Sequence, residues 1–213
     1  MPAVKGGSYK GVSATAREQE RRRRLLAAGL EVIGADGLAA TTVRAVCREA
    51  GLSSRFFYES FPNVEELAIA LIEEIFQRAI ESVLAAVEAA PPEPAERNRV
   101  AIETFVAQLT DDPRVARFTL MEALGSQALT RRRLAMLRST VEIMLDHKRA
   151  QSSSAKSGAY REVAATVLVG GLIELLVTWM HEAIDSDLPT IVGTYVQLAN
   201  DIAEAVHGDP PAD

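Results

Sequence analysis

Arg55 is the only long cationic side chain in residues 53–61, a segment that also carries the hydroxyls of Ser53, Ser54, Tyr58 and Ser60. A guanidinium meets the guanine edge with two parallel hydrogen bonds, the commonest specific contact between a protein and a base. Tyr58 follows Ser54 by one helical turn, so a helix here would put both on one face. Phe56 offers an apolar surface for a thymine methyl or a groove wall, or else stiffens its surroundings. Catalytic chemistry has little to use. The histidines, His147, His181 and His207, stand in no HxxxH spacing, and the single Cys47 excludes a CxxC pair. The nucleophile elbow GxSxG, the phosphate loop and GxGxxG are all absent from the sequence. No cofactor and no metal are expected, and an enzyme is the weaker reading.

Such recognition residues need a rigid platform, and residues 42–61, TVRAVCREAGLSSRFFYESF, supply its pattern. A short helix, a turn at Gly51 and a second short helix make the sequence form of a helix-turn-helix, whose second helix enters the DNA major groove. Thr41 or Thr42 can cap the first helix, and Val43, Val46, Cys47 and Ala50 give it a buried face. Cys47 reads as a small core residue rather than a reactive thiol. Gly51 suits a left-handed helix end, Leu52 then tucks inward, and Ser53 can cap the second helix. Upstream, Leu26, Leu30 and Ile33 form a helical stripe that starts at the basic run Arg21 to Arg24. That run is charged all round, so at most two of its arginines can face DNA.

The formal charge is −6 over 213 residues, but it is unevenly placed. Residues 1–62 carry +4 and residues 63–213 carry −10. Phosphate neutralisation needs local positive charge, not a basic whole protein. A basic head on an acidic body fits that need; the plain alternative is a chance fluctuation of surface charge. No run of eighteen uncharged apolar residues occurs, and the N-terminus lacks a secretory pattern, so no membrane association is expected. One cysteine cannot form an internal disulfide, which agrees with a cytoplasmic protein, held at the nucleoid when bound to DNA.

Three regions follow. Residues 1–15, rich in Gly, Ser and Ala, read as a flexible arm that either touches DNA or is a loose end. Residues 16–66 form the helix-turn-helix domain, and residues 67–213 the ligand-binding and dimerisation domain. Asn63 with Glu66 signals the start of a helix over 64–89, roughly 40 Å long. Further helices are expected over 95–109, 115–124, 130–149, 160–184 and 190–207, with a polar loop at 151–158. No strand alternation appears, so the fold class is all-α, with about nine helices.

The stretch from Arg21 to Leu67 resembles the TetR family of bacterial transcriptional regulators. The resemblance rests on AAGLEVI, DGLAATTVR and EAGLSSRFFYESF followed by PNVEEL, with Thr42, Gly51, Tyr58, Phe61, Glu66 and Leu67 at the family spacing. It covers under a quarter of the chain. It implies that Thr42 and Arg44 meet phosphate, that Ser53, Ser54, Arg55 and Phe56 face the major groove, and that Tyr58 bonds a phosphate through its hydroxyl. Ser60, a further DNA-binding candidate, stands where the family often has His or Tyr, and Phe57 and Phe61 would pack the head. Phe56 and Val64 depart from the common pattern; Val64 replaces a Lys, which removes a phosphate contact.

For the body the resemblance implies a helical module that binds ligand and dimerises. Residues 160–184 are apolar around most of the helix, which marks burial on more than one side. Gly170 and Gly171 weaken that helix and point to a close helix approach in return. With 190–207 it is expected to form a four-helix interface between two copies, through Val167, Gly170, Gly171, Ile191, Tyr195, Leu198 and Ile202; the alternative is burial within one subunit. Phe105, Phe118, Met121, Leu124, Met136, Met144 and Trp179 are candidates to line a ligand pocket, or else are plain core. Leu137 belongs with them, and His181 and Glu174 are either polar anchors or surface. The function expected is a regulator, a repressor that binds a palindromic operator in double-stranded DNA as a homodimer. An unidentified small, mainly apolar effector would release it. The alternative is a DNA-binding regulator controlled by a protein partner, with no small-molecule effector.

Overall fold

The computed structural model describes residues 14–149 and 158–207. Among them are nine α-helices and no strand: α1 (Ala14–Asp36), α2 (Val43–Ala50), α3 (Ser54–Ser60), α4 (Val64–Ala89), α5 (Pro94–Thr110), α6 (Pro113–Leu120), α7 (Gln127–Arg149), α8 (Gly158–Met180) and α9 (Leu188–His207). A single 3-10 turn, Glu122–Gly125, separates α6 from α7. The expected all-α class is therefore the observed one. Residues 1–13 of the expected arm and 151–157 of the expected loop lie outside the described residues.

Local chemistry sets the helix ends in the head. The Thr42 hydroxyl accepts the Ala45 amide, so Thr42 is the cap of α2. Gly51 follows α2 at φ 61 and ψ 39. Its amide donates to Arg48 and that of Leu52 to Cys47, which satisfies the last carbonyls of α2. Ser53 occupies the cap position of α3 but makes no side-chain cap bond there. The Asn63 side chain accepts the Glu66 amide at 2.9 Å and starts α4 at the expected residue.

Two helices depart most from the expected bounds; α5, α7 and α9 differ by one to three residues at their ends. The segment expected as one helix over 115–124 is α6 followed by the 3-10 turn, because Asp112 and Pro113 start the helix earlier and the chain kinks at Met121 (φ −121, ψ −62). The helix expected over 160–184 ends at Met180. Glu182 takes φ 56, and the Ala183 amide reaches back to the Thr178 carbonyl, the bond a glycine usually closes. A sequence reader finds no glycine there and runs the helix on.

One apolar core runs through head and body. Leu25, Ile33, Val46 and Phe57 of the head join Leu67, Leu71 and Ile72 of α4, then Phe118, Leu120, Leu172 and Leu176. Helix α4 is the shared wall; its 26 residues span about 39 Å. Helix α1 approaches it so closely at Gly29 that an added Cβ would stand 2.5 Å from Leu67 Cδ2.

A second seam fastens the head to the body. Arg117 of α6 donates to the carbonyls of Gly34 and Ala35 at the end of α1, at 2.9 and 3.1 Å. Glu122 accepts from the Leu38 amide at 2.9 Å and pairs with Arg117 at 3.3 Å. Arg114 pairs with both Glu31 and Asp112, and Asp112 holds the guanidinium strongly protonated while its own carboxyl drops below the usual range. Gly34 lies against Arg114, where an added Cβ would meet Cβ at 2.8 Å.

Helix α8 has a mean hydropathy of 2.0 over its most apolar window, enough by length and composition to cross a membrane. Only 28% of that window is buried inside the chain. Val163 and Val167 are 63% and 56% exposed, whereas Leu172 and Leu176 pack into the core. The close approach expected at Gly170 and Gly171 is not found within this chain. A Cβ at Gly171 would meet nothing within 4 Å, and one at Gly170 only Leu137 Cδ2 at 4.0 Å.

Candidate nucleic-acid interface and body cavity

Phe57 is fully buried and Phe61 nearly so, with ring centroids 5.9 Å apart, so they anchor α3 as the packing residues of the head. That anchoring leaves Ser53, Ser54, Arg55 and Tyr58 exposed on α3, with Thr42 and Arg44 exposed at the start of α2. The Arg55 side chain is 84% exposed and Tyr58 60%. The Phe57 ring meets the Tyr58 ring edge-on at 5.6 Å. Ser60 is half-buried, and its carbonyl accepts from Arg22 at 3.3 Å. The hydroxyls, one guanidinium and one phenol thus share a two-helix unit of the size that enters a groove.

In the basic run on α1, three of the four side chains reach the motif and the fourth, Arg23, pairs within α1. The Arg21 guanidinium lies 4.6 Å from the Phe56 ring centroid and 3.9 Å from Glu59. Arg22 lies 4.4 Å from the Phe61 centroid. Arg23 pairs with Glu20 at 2.6 Å, and Arg24 donates to the Ala50 carbonyl at 2.5 Å, at the end of α2. All four arginines have protein partners. Phe56, expected as an exposed aromatic, is half-buried under Arg21.

Glu59 escaped the sequence reading as a site residue. It pairs with Arg55 at 2.9 Å and with Arg21 at 3.9 Å, so one carboxylate holds the candidate reading side chain and ties it to α1. The i, i+4 spacing of Arg55 and Glu59 was the signal available. Cys47 is buried, and burial pushes its thiol above the usual range, which suits a core residue and not a nucleophile. At the start of α4 the Glu66 amide is already taken by Asn63, and Glu65 and Glu66 put negative charge in the first turn. Phosphate binding at that helix end is disfavoured on both counts.

The body holds a cavity of about 910 Å³ bounded by the distal half of α4 and by α5, α7, α8 and α9. Ile80, Val83, Val87, Ile102, Phe105, Met144, Leu168 and Leu172 make its wall largely apolar. On its wall Leu84 and Ile143 are 43% and 41% exposed. Phe105 and Met144 were sequence candidates and line it. Of the others, Phe118 is fully buried in the core, Met121 and Leu124 are exposed near the 3-10 turn, and Met136 and Trp179 are half-buried away from the wall. His181 and Glu174 are exposed.

Polar groups on the cavity wall come from residues the sequence did not single out: Arg97, Asn98, Thr140, Asn200 and Glu204. No hydrophobic period flags them, since they sit in the first turns of α5, between the apolar residues of α9 and in a gap of the α7 stripe. Tyr195 also lines the cavity. Its hydroxyl donates to the Leu168 carbonyl, and burial pushes its pKa up to about 12. Among the interface candidates, Ile191 and Tyr195 therefore turn into their own subunit. Val167 and Leu198 are exposed, at 56% and 51%, and Gly170, Gly171 and Ile202 are half-buried.

Residues 25–71 match the family profile of bacterial regulatory proteins, tetR family. Among solved structures, the fatty acid degradation regulator FadR from Bacillus halodurans is similar with a TM-score of 0.69 at 20% identity, over 89% of this chain and 96% of that one. A TetR-family transcriptional regulator from Pectobacterium atrosepticum gives 0.67 at 21% identity, over 93% and 100%. The regulator FadR from Bacillus subtilis, in complex with stearoyl-CoA, gives 0.64 at 19% identity, over 87% and 97%. These likenesses extend the shared fold from the head through the whole helical body.

Proposed function

We propose that this chain, a DNA-binding transcriptional regulator whose residues 25–71 form a TetR-family head, is a dimeric repressor released from its operator by an apolar small molecule. The observation that carries the reading is the apolar cavity on the distal half of α4, the helix whose first turn adjoins the head. A ligand that binds one setting of α4 better than the other shifts the head by that difference in affinity and by no more. The similar Bacillus subtilis regulator is in complex with stearoyl-CoA, whose acyl chain, though not its charged CoA part, agrees in kind with an apolar effector here. A body filled by side chains would instead have favoured control by a protein partner.

In this reading Arg55, with Ser53, Ser54 and Phe56, faces the base edges, and Thr42, Arg44 and Tyr58 contact phosphates. Ser60 supports the end of α3 through its main chain. Dimerisation is supported by the exposed apolar side of α8 and α9, where Val163, Val167 and Leu198 lie bare and Gly171 leaves open space. A dimer places two heads on half-sites about one helical turn, or a multiple of it, apart. Fluorescence anisotropy with DNA from upstream of the protein's own gene tests the first half, and light scattering at micromolar concentration tests the dimer. A monomer that binds the same DNA with full affinity would sink this arrangement.

A further inference from the structure

Resting on the reading that the body cavity takes an apolar ligand, we infer that this ligand carries one uncharged hydrogen-bonding end, a hydroxyl or a carbonyl, held by Asn98 and Asn200. The two amides meet between α5 and α9, where Asn98 Nδ2 donates to Asn200 Oδ1 at 2.9 Å. Both line the cavity and both are half-buried. Their bond leaves the Asn98 carbonyl oxygen as an acceptor and the Asn200 amide nitrogen as a donor. Exchanging both amide orientations leaves the same pair. Among the described residues no sealed side-chain polar atom lacks a partner, so these two atoms are accessible, on side chains that line the cavity.

Other polar groups on the wall are committed or cancel. Thr140 donates to the Met136 carbonyl at 2.9 Å, and Tyr195 donates to the Leu168 carbonyl. Arg97 donates through Nε to the Pro91 carbonyl at 3.2 Å, and its formal charge is equal and opposite to that of Glu204 on the same wall. The wall therefore carries no net formal charge, and the asparagine pair is its uncharged donor–acceptor site. A hydroxyl satisfies both members and a carbonyl satisfies the donor. A purely apolar end satisfies neither and displaces water from both, which is unfavourable.

The test uses the full chain and displacement of N-phenyl-1-naphthylamine by 1-alkanols from hexanol to decanol, by 1-chlorodecane and by decanoate at pH 8. Each added methylene should tighten alkanol binding about fourfold. Decan-1-ol should displace the probe on the order of ten times more effectively than 1-chlorodecane, and better than ionised decanoate. Asn98→Leu and Asn200→Leu should erase the preference for the alcohol while keeping the methylene increment. Asn98→Ala and Asn200→Ala, with thermal melting as a check, serve the same purpose if leucine prevents folding. Variants that keep the alcohol preference, or tighter binding of decanoate, would overturn the inference while leaving an apolar site intact. If no member of the series binds although operator binding persists, the ligand reading itself falls, and this inference with it.

Discussion

Arg21 covers Phe56, its guanidinium 4.6 Å from the ring centroid, so the first helix of the head shields the largest apolar side chain on the reading face of α3. On that contact Arg21 is expected to act as a brace rather than as a phosphate ligand. A cation–π pair at such a site is worth about 0.5–1 kcal/mol. Arg21→Ala should therefore lower head stability modestly and leave the salt dependence of DNA binding nearly unchanged. Arg44→Ala should reduce the slope of log affinity against log salt by about 0.9, as expected for one lost phosphate. Anisotropy titrations at several salt concentrations separate the two. Equal loss of slope in both variants would return Arg21 to the phosphate backbone.

Arg55 and Glu59 form the second relationship to probe, at 2.9 Å. Arg55→Ala should cost about 1–3 kcal/mol on operator DNA, roughly ten- to hundredfold, and far less on unrelated sequences. Glu59→Gln should free the guanidinium to search phosphates. Affinity for unrelated DNA should then rise more than affinity for the operator, so discrimination falls. A competition assay with salmon-sperm DNA reads both changes, and unchanged discrimination in Glu59→Gln would show that the pair is only a helix-surface contact.

Gly34 tests the seam between α1 and α6. Alanine gains about 1 kcal/mol in helix propensity, but its Cβ would meet Arg114 Cβ at 2.8 Å and Cα at 3.3 Å. Overpacking of this kind costs about 1–3 kcal/mol, so Gly34→Ala should destabilise on balance despite the better helix former. Urea unfolding measures the net sign; a stabilised variant would mean that α6 moves away freely.

Tyr195 supplies a pH signature. Its hydroxyl ionises near 10 in the unfolded chain and near 12 in the folded one. Below pH 10 both states are protonated and the stabilisation is whole. Between about pH 10 and 12 the unfolded state ionises first, and stability should fall by on the order of 2–3 kcal/mol before levelling. Tyr195→Phe should start lower, having lost the bond to the Leu168 carbonyl, and should lack that fall. Urea midpoints at pH 9, 10 and 11 for both proteins provide the comparison.

The head was legible in the sequence because its ends are set by local chemistry: Thr42 and Asn63 cap, Gly51 turns, and the apolar spacing of α2 repeats within eight residues. What the sequence hid was set by distance along the chain. The contacts of Arg21, Arg22 and Arg24 could not be read because their partners Phe56, Phe61 and Ala50 lie 26 to 39 positions away. The cavity was partly visible through Phe105 and Met144, whose types and spacing mark apolar helix faces. Asn98 and Asn200 were not, since a single amide in a helix looks like surface until its mate 102 residues away comes beside it. The end of α8 was misplaced because Glu182 performs a turn for which glycine is the usual signal.

The engagement of Arg21 to Arg24 by the head itself also bears on how such a protein finds its site. Sliding along a chromosome depends on loose, sequence-blind attraction between mobile cations and the phosphates. A head in which Arg21 to Arg24 are tied to rings, carbonyls and carboxylates is expected to hold random DNA more weakly than one whose cations are free to follow the phosphates. Single-molecule tracking should then record brief dwell times away from the operator, and Glu20→Ala, which frees Arg23, should lengthen them.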